Sequence, residues 1–376
     1  MKALLLSLIC ILSFSMYRAI HAKADKSDAL FVVIVNDKRG YIDVNGRIVI
    51  KPQFEGANPF SEGLAVVATS ENGYAEGYID STGAEIIKPQ FDKATDFSEG
   101  RALVGFDQSK KEMRRENKTY VTGSSHPSYI WGYIDRTGKY VAAPIYPHAL
   151  GFSEGLAAVQ LSDGQWGYID KAGSLVIKPQ FQSASSFSEG LSCVMFDKKY
   201  GFIDRTGKMV IPPQFTGPGV FAEGLAPVRV GGKVLDPGFG MVIGPLGGRY
   251  VYIDKAGKEV ITLGDNVENT NPFSEGLAAV EIKGYWGFID KKGKIVIEPR
   301  FGGQPSFSEG LACVIIRDGG GIGFIDKTGT IALKLNFALA ENFRDGLAFV
   351  YDSLDVSSSK YGYIDKAGKV IWPPSK

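Results

Sequence analysis

Short apolar runs recur along the whole chain, and each is bounded by glycine, proline or polar residues. The runs at 166–169 (Trp-Gly-Tyr-Ile) and 175–177 (Leu-Val-Ile) are typical, and they are rich in β-branched and aromatic residues. Runs of this length and composition, separated by turn residues, favour β-strands over helices. The pattern therefore predicts an all-β protein.

The runs belong to a repeated unit of roughly 36 residues, and a repeat of this length indicates a stacked or circular architecture. One signature is an aromatic-Ile-Asp triplet with Gly three residues later; its aspartates are Asp43, Asp80, Asp135, Asp170, Asp204, Asp254, Asp290, Asp326 and Asp365. A second signature reads Phe-Ser-Glu-Gly-Leu-Ala with small changes; it begins at Phe60, Phe97, Phe152, Phe187, Phe221, Phe273, Phe307 and Phe343. The chain thus contains about nine units.

Each unit is expected to contain three strands. The aromatic-Ile-Asp triplet ends strand one, and Asp with the following Gly makes a turn into strand two. Strand two ends at a proline, which cannot donate to a ladder. A connector with two buried phenylalanines follows and is expected to be a short turn or 3₁₀ segment. Strand three carries an Ala and a Val two residues apart, which places both side chains on one face.

The distance from the turn aspartate to the Gly of Glu-Gly is 20 residues in seven units and 22 after Asp254. The distance from that Gly to the next aspartate varies from 14 to 35 residues. Length changes therefore concentrate at the hairpin between strand three and the next strand one, as expected for a solvated loop. The two long insertions, at 106–130 and 230–249, supply the candidate interaction residues Lys110, Lys111, Arg114, Arg115, Val234, Phe239 and Met241.

These features predict tandem three-stranded β repeats that form an elongated superhelical, solenoid-like array, because each unit must bury its face against a neighbour. A closed β-propeller is the alternative. The chain runs as nine units in the order strand three, one, two, so no partial unit remains to close a ring by sharing strands between the termini. Small-angle scattering would separate the two shapes.

Residues 1–22 have the features of a secretory signal peptide: Lys2, an apolar run and Ala22 at the cleavage position. The array then occupies 23–376, in a secreted, periplasmic or cell-surface protein. No later run is long and apolar enough to predict a membrane span. The formal net charge of +1 gives no support for nucleic acid as a partner.

The residues needed for chemistry are sparse. Beyond residue 22 the chain has two histidines and two cysteines: His126, His148, Cys193 and Cys313. Their spacing matches neither a metal-binding motif nor a catalytic triad. Carboxylates recur once per unit, which indicates turn structure, because a catalytic pair is needed only once. We therefore expect no catalytic residue, no metal and no cofactor. Three tryptophans stand at the start of strand one: Trp131, Trp166 and Trp286. We expect their rings in the core; the alternative is that they form an aromatic edge that binds a ligand.

The units resemble the WG (KWG) repeat of bacterial proteins, and the resemblance covers nearly the whole chain after residue 22. The name-giving dipeptide is present at Trp131-Gly132, Trp166-Gly167 and Trp286-Gly287. It is softened at Tyr200-Gly201 and Tyr361-Gly362, and Val251 replaces the glycine in one unit. The resemblance implies a β-rich repeat and brings no catalytic residues.

Two hypotheses of function remain. The first is a non-catalytic scaffold whose two long insertions contact an unknown protein partner, because variation concentrates on one edge. The second is a carbohydrate or cell-envelope binder, or a glycan hydrolase, that uses the aromatic edge and the recurrent glutamates. Loss of partner capture on loop deletion would support the first hypothesis, and glycan binding would support the second.

Overall fold

The computed structural model describes residues 29–70, 74–109, 129–235, 243–317, 319–354 and 360–375, with backbone alone at 233–235 and 243–246. The predicted signal peptide at 1–22 lies outside this range. Within it the chain forms 36 strands, which confirms the all-β prediction. Across the same ranges, no helix has the length and hydrophobicity needed to cross a bilayer.

The strands fall into nine repeated groups of three or four antiparallel strands, called blades 1 to 9 in chain order, and two further strands form an additional hairpin. Blades 1 to 3 contain β1 (Phe31–Val35), β2 (Lys38–Ile42), β3 (Ile48–Phe54); β4 (Gly56–Ala57), β5 (Leu64–Thr69), β6 (Ala75–Asp80), β7 (Glu85–Phe91); and β8 (Lys93–Ala94), β9 (Arg101–Asp107), β10 (Tyr129–Asp135), β11 (Tyr140–Tyr146). Blades 4 and 5 contain β12 (His148–Ala149), β13 (Leu156–Gln160), β14 (Trp166–Asp170), β15 (Leu175–Phe181); and β16 (Ser183–Ala184), β17 (Leu191–Phe196), β18 (Lys199–Asp204), β19 (Met209–Phe215).

Blades 6 and 7 contain β20 (Ala226–Val230), β23 (Arg249–Ile253), β24 (Glu259–Thr262); and β25 (Val267–Thr270), β26 (Ala278–Ile282), β27 (Tyr285–Ile289), β28 (Ile295–Gly302). Blades 8 and 9 contain β29 (Phe307–Ser308), β30 (Leu311–Ile316), β31 (Gly321–Ile325), β32 (Ile331–Leu335); and β33 (Leu339–Ala340), β34 (Leu347–Tyr351), β35 (Tyr361–Asp365), β36 (Val370–Ser375). The hairpin of β21 (Lys233–Leu235) and β22 (Ile243–Leu246) extends the tip of blade 6, and the end of β28 pairs with β30, which joins blades 7 and 8 into one sheet.

The connector contributes a fourth, short strand to most blades, which corrects the prediction of a turn or 3₁₀ segment. In blade 3, β8 pairs with β9 through Lys93–Gly105 and Ala94–Val104, so the connector lies along strand three. The connector phenylalanines on both sides, Phe91 and Phe97, are almost fully buried, as predicted. Because both anchors are fixed in the core, the residues between them are held extended. The sheet order in a full blade is therefore connector strand, strand three, strand one, strand two.

The core lies between consecutive blades. Tyr78 and Phe91 of blade 2 pack with Ala94, Phe97 and other buried side chains of blade 3. Equivalent clusters join the other neighbours, and the small alanine of strand three sits within them, as the sequence predicts. A single blade has too little apolar surface to fold alone, so each unit is stabilised by its neighbours.

The first and last blades are in contact and close the nine blades into a ring. The Tyr363 hydroxyl of blade 9 donates to the carbonyl of Val32 in blade 1 (2.9 Å), and the Ser375 hydroxyl donates to the carbonyl of Ile34 (2.6 Å). Phe31 packs against Tyr363, with ring centroids 5.4 Å apart. An elongated array would keep its ends apart, so these contacts replace that arrangement with the alternative, a β-propeller. The prediction relied on shared strands for closure, whereas side chains close this ring.

The ring has two faces. In blade 2, Leu64 pairs with Asp80 at one end of the hairpin and Thr69 pairs with Ala75 at the other. The end with the aspartate and glutamate turns is the turn face. The other end, with the hairpins that join strand three to strand one, is the tip face.

Candidate interaction surface

Seven glutamates of the turn face join blades 2 to 9, each blade to the next. Glu99 accepts a hydrogen bond from the backbone N–H of Gly155 (2.8 Å) and pairs with the ammonium of Lys171 (3.0 Å). Burial would raise the pKa of Glu99, but the bonds from Lys171 and the backbone outweigh it and hold the pKa below its ordinary value. Six further glutamates accept from the next blade's glycine N–H: Glu62, Glu154, Glu189, Glu223, Glu275 and Glu309.

The aspartates of the turn face hold the turn after strand one. Asp80 Oδ1 accepts from the hydroxyl (2.6 Å) and the backbone N–H (2.9 Å) of Thr82 and from the N–H of Ala84 (3.0 Å). The bond from the Thr82 hydroxyl lowers the pKa of Asp80. The equivalent aspartates accept the N–H groups two and four residues ahead: Asp43, Asp135, Asp170, Asp204, Asp254, Asp290, Asp326 and Asp365. Both carboxylate rows therefore have structural partners.

The tip face carries the variation in length. The hairpins at 108–128, 231–248 and 352–360 belong to blades 3, 6 and 9, and every other hairpin spans five residues or fewer. Blades three apart in a nine-membered ring divide it evenly, so the strand ends that carry the three long hairpins are evenly spaced around the tip face. The third long hairpin was missed in the sequence, because at nine residues it differs little from an ordinary loop.

The base of the first insertion is a shallow apolar concavity lined by Phe106, Gln108, Ile130, Tyr140 and Pro144. Six of the candidate interaction residues are outside the described residues: Lys110, Lys111, Arg114, Arg115, Phe239 and Met241. The seventh, Val234, is described only as backbone in β21.

The three tryptophans lie in separate clusters between blades. Trp286 is only 5% exposed and packs with Phe288 and Phe301. Trp166 is half-buried and stacks on His148, with ring centroids 6.5 Å apart. Trp131 is half-buried and contacts Tyr129, with centroids 5.6 Å apart. Trp286 is thus buried in its cluster, whereas Trp131 and Trp166 pack at the margins of theirs.

The thiols and histidines do not meet. Cys193 and Cys313 are free and lie in blades 5 and 8, and burial raises the pKa of each to about 12. His148 lies in the connector of blade 4, and His126 is outside the described residues. Among the residues described, no group of three or more His, Cys, Asp or Glu side chains is arranged to hold a metal ion.

A family model described as the WG containing repeat matches eight segments of the chain. They are residues 40–71, 77–108, 131–164, 166–200, 200–233, 252–286, 286–318 and 322–351. Each match begins in or beside strand one of one blade and ends in or just past strand three of the next blade. The eight sequence repeats therefore each span the junction between two consecutive blades. The sequence repeat is therefore out of phase with the structural blade.

Several solved structures are similar to the chain at low sequence identity. A structure described as the eukaryotic initiation factor superposes with a TM-score of 0.61 and 11% identity, over 91% of this chain and 94% of that chain. BamB from Moraxella catarrhalis gives a TM-score of 0.41 and 13% identity, over 79% and 96% of the two chains. The β-propeller domain of the Trilobed protease from Pyrococcus furiosus gives 0.41 and 11%, over 86% and 100%. The search among curated proteins returned no match.

Proposed function

The chain belongs to the WG containing repeat family, and we propose that it is a non-catalytic scaffold that binds a protein partner through its tip face. The observation that carries this proposal is the contrast between the two faces. The recurrent side chains of the turn face hold blades and turns together, whereas the tip face presents the three longest hairpins at even spacing. Loops on a rigid scaffold are where binding residues concentrate.

The scaffold suits this role because its geometry does not depend on the hairpins. The strands that carry the first insertion, β9 and β10, pair continuously from Arg101–Asp135 to Asp107–Tyr129. A loop held at both ends by paired strands loses less conformational entropy on binding than a free segment does. The signal peptide predicted at 1–22 would place the scaffold outside the cytoplasm.

The test is partner capture by immobilised full-length protein from an extracytoplasmic fraction. The comparison variant has 109–128 and 233–246 each replaced by a two-residue Asn-Gly turn. A matched control keeps both loops at full length with shuffled sequence, so that charge and size are unchanged. We expect the native chain to capture one protein that neither the loop-replacement variant nor the shuffled-loop control captures. Capture of the same partner by the double replacement would contradict the proposal.

A glycan ligand is the second candidate, favoured by one described group. Tyr140 lines the concavity at the base of the first insertion and is 43% exposed. The half-buried pair Tyr129 and Trp131 lies at the start of the adjacent strand, β10. Aromatic rings with one exposed face can stack on sugars. A glycan array that gives hits lost in Tyr140→Ala would favour this candidate, and an array without hits would remove it.

A further inference from the structure

The rim of the ring consists of strand two and the residue before it in each of the nine blades. Strand two lies at one end of the sheet order in eight blades, and in the ninth only the end of β28 pairs onward with the next blade. The recurrent hydrogen bonds between consecutive blades come instead from the turn before strand three. The Ser98 hydroxyl, for example, donates to the Phe152 carbonyl (2.7 Å). Blades are closest together at the inner radius of a ring, so strand two lies at the outer radius.

Alternate residues of strand two point outward and form three rows along the rim. In blade 4 they are Val176, Lys178 and Gln180, all exposed, whereas Ile177 is buried. Val176 is 47% exposed, and an aliphatic side chain is exposed at this position in five other blades: Val49, Ile86, Val210, Val260 and Val296. Further members of the cationic row are Lys51, Lys88 and Lys334, and further members of the amide row are Gln53, Gln90 and Gln214.

Positive charge is concentrated on the rim. Its nine segments carry eleven exposed lysines and arginines: Arg47, Lys51, Lys88, Lys139, Lys178, Lys208, Lys258, Lys294, Arg300, Lys334 and Lys369. They carry only three glutamates: Glu85, Glu259 and Glu298. The whole chain is almost balanced, with 42 lysines and arginines against 41 aspartates and glutamates, so the excess of cations on the rim is local.

None of the eleven rim cations takes part in a salt bridge within the described part of the chain. The turn-face lysines Lys171, Lys255 and Lys291, by contrast, each pair with a glutamate of the neighbouring blade. Charges on an edge strand also prevent its pairing with other sheets, but a charge of either sign serves that purpose. The bias towards cations therefore points to an anionic ligand.

The form of the rim selects the kind of anion. The rim is convex and repeats its rows from blade to blade, so a flat lipid surface contacts only adjacent blades, whereas a flexible chain can follow the whole curve. Apart from Tyr140, the exposed large apolar side chains of strand two are aliphatic. Single-stranded nucleic acids are bound largely by stacking of their bases on aromatic rings. Cations for acidic groups, amides for hydroxyls and aliphatic side chains for C–H faces suit an acidic polysaccharide.

We propose that the rim binds an acidic polysaccharide that runs along the circumference of the ring. Each blade contributes one weak set of contacts, and the affinity grows with the number of blades that one polysaccharide chain spans. The rim is a different surface from the tip-face hairpins and takes a different class of ligand, so this inference goes beyond the proposed protein partner. It meets the glycan candidate only at blade 3, where Tyr140 and Pro144 also line the concavity.

The probe is fluorescein-labelled oligogalacturonate, titrated with the full chain and followed by fluorescence anisotropy at low salt. The same oligosaccharide with its carboxylates methyl-esterified keeps the hydroxyls and removes the charge. We expect saturable binding of the acidic probe alone, and weaker binding as the salt concentration rises, because salt screens exposed charges.

The decisive variant reverses one rim lysine in each of four blades: Lys51→Glu, Lys88→Glu, Lys178→Glu and Lys334→Glu. The matched control reverses four tip-face lysines, with the same change in net charge: Lys198→Glu, Lys199→Glu, Lys283→Glu and Lys360→Glu. We expect the rim variant to bind at least about tenfold more weakly than the native chain, and the control to bind within about twofold of it. Urea unfolding midpoints show whether both chains are folded.

If a fourfold variant does not fold, the double variants Lys88→Glu with Lys178→Glu and Lys198→Glu with Lys283→Glu take their places. Absence of saturable binding, or equal weakening in the rim variant and its control, would overturn the proposal. Tighter binding of labelled oligothymidylate would overturn it in favour of nucleic acid. Sedimentation with phosphatidylglycerol vesicles without binding of the saccharide would overturn it in favour of a lipid surface. The loop replacements used for partner capture leave the rim intact, so the two proposals fail separately.

Discussion

Eight of the nine units have a glycine within strand one, after tryptophan in three of them, and this glycine is required by the close approach of strand two. A Cβ atom at Gly167 would lie 2.5 Å from the carbonyl oxygen of Ile177 and 2.8 Å from the nitrogen of Pro179. The strands bulge at this point, because Trp166 pairs with Phe181 while Tyr168 pairs with Ile177. In the unit where Val251 replaces the glycine, strand two is β24, which contains no proline. This strand ends at Thr262, the residue that pairs with Val251. The exception therefore follows from the same geometry.

Gly167→Ala should reduce the free energy of unfolding by about 3 kcal/mol, because backbone atoms must move to admit the methyl group. Urea unfolding followed by tryptophan fluorescence measures the change. Gly151→Ala is the matched control, since nothing lies within 4 Å of its Cβ position and its φ is not in the left-handed region. Equal effects of the two substitutions would contradict this account.

At the scale of the element, the Glu-Gly turn before strand three holds its glutamate in an unfavourable backbone conformation that directs the carboxylate to the next blade. Glu99 has φ of 53° and the next residue, Gly100, has φ of 76°, as a two-residue hairpin turn requires. A residue with a side chain is disfavoured there by about 1 kcal/mol or more, and asparagine or glycine would fit better. Glutamate recurs because its carboxylate reaches the N–H of the next blade. The turn is thus also the joint between blades.

Glu99→Gln should lower the free energy of unfolding by about 1 kcal/mol at pH 7, through loss of the partly buried pair with Lys171. Because the pKa of Glu99 is lowered on folding, the stabilisation is complete above its ordinary value of 4.5 and disappears as the pH falls through the lower pKa of the folded state.

Urea titrations at several pH values compare the native chain with Glu99→Gln and with Glu85→Gln, an exposed glutamate on an outer strand. The difference between the native chain and Glu99→Gln should shrink in acid, while Glu85→Gln should match the native chain throughout. A difference that persists at pH 2 would rule out the carboxylate as its cause.

At the scale of the whole molecule, the seam is closed by residues that depart from the repeat. Phe31 occupies the position that is alanine in most other units, and it packs on Tyr363 as Phe60 packs on Tyr41 (4.8 Å). Phe31 thus takes the role of a connector phenylalanine, and β1 begins at this residue in the described chain. Closure by side chains rather than by a shared strand leaves the ring with one distinct joint.

Phe31→Ala should weaken this joint, because it removes a large buried ring at a cost of about 3 to 5 kcal/mol where the cavity cannot collapse. Small-angle scattering should give a compact ring for the native chain and a larger radius of gyration for Phe31→Ala. Phe97→Ala, at an internal joint, is the control and should destabilise without opening the ring. A rod-like profile of the native chain would contradict closure.

The sequence by itself determined the strands, the turn chemistry, the buried phenylalanines and the structural role of the carboxylates. These features depend on contacts within one unit or between consecutive units, such as Asp80 with Ala84 or Phe97 with Tyr78. The same residue pattern for these contacts recurs in most units, so it is visible in the sequence.

The tertiary structure decided the ring and the fourth strand. The closing hydrogen bonds join residues 331 and 341 positions apart, and their existence depends on the angle accumulated over nine blades. Phe31 and Ser375 are single departures from the pattern, and they acquire meaning only when blade 9 is seen beside blade 1. No local periodicity carries that angle, because each unit contacts only its neighbours.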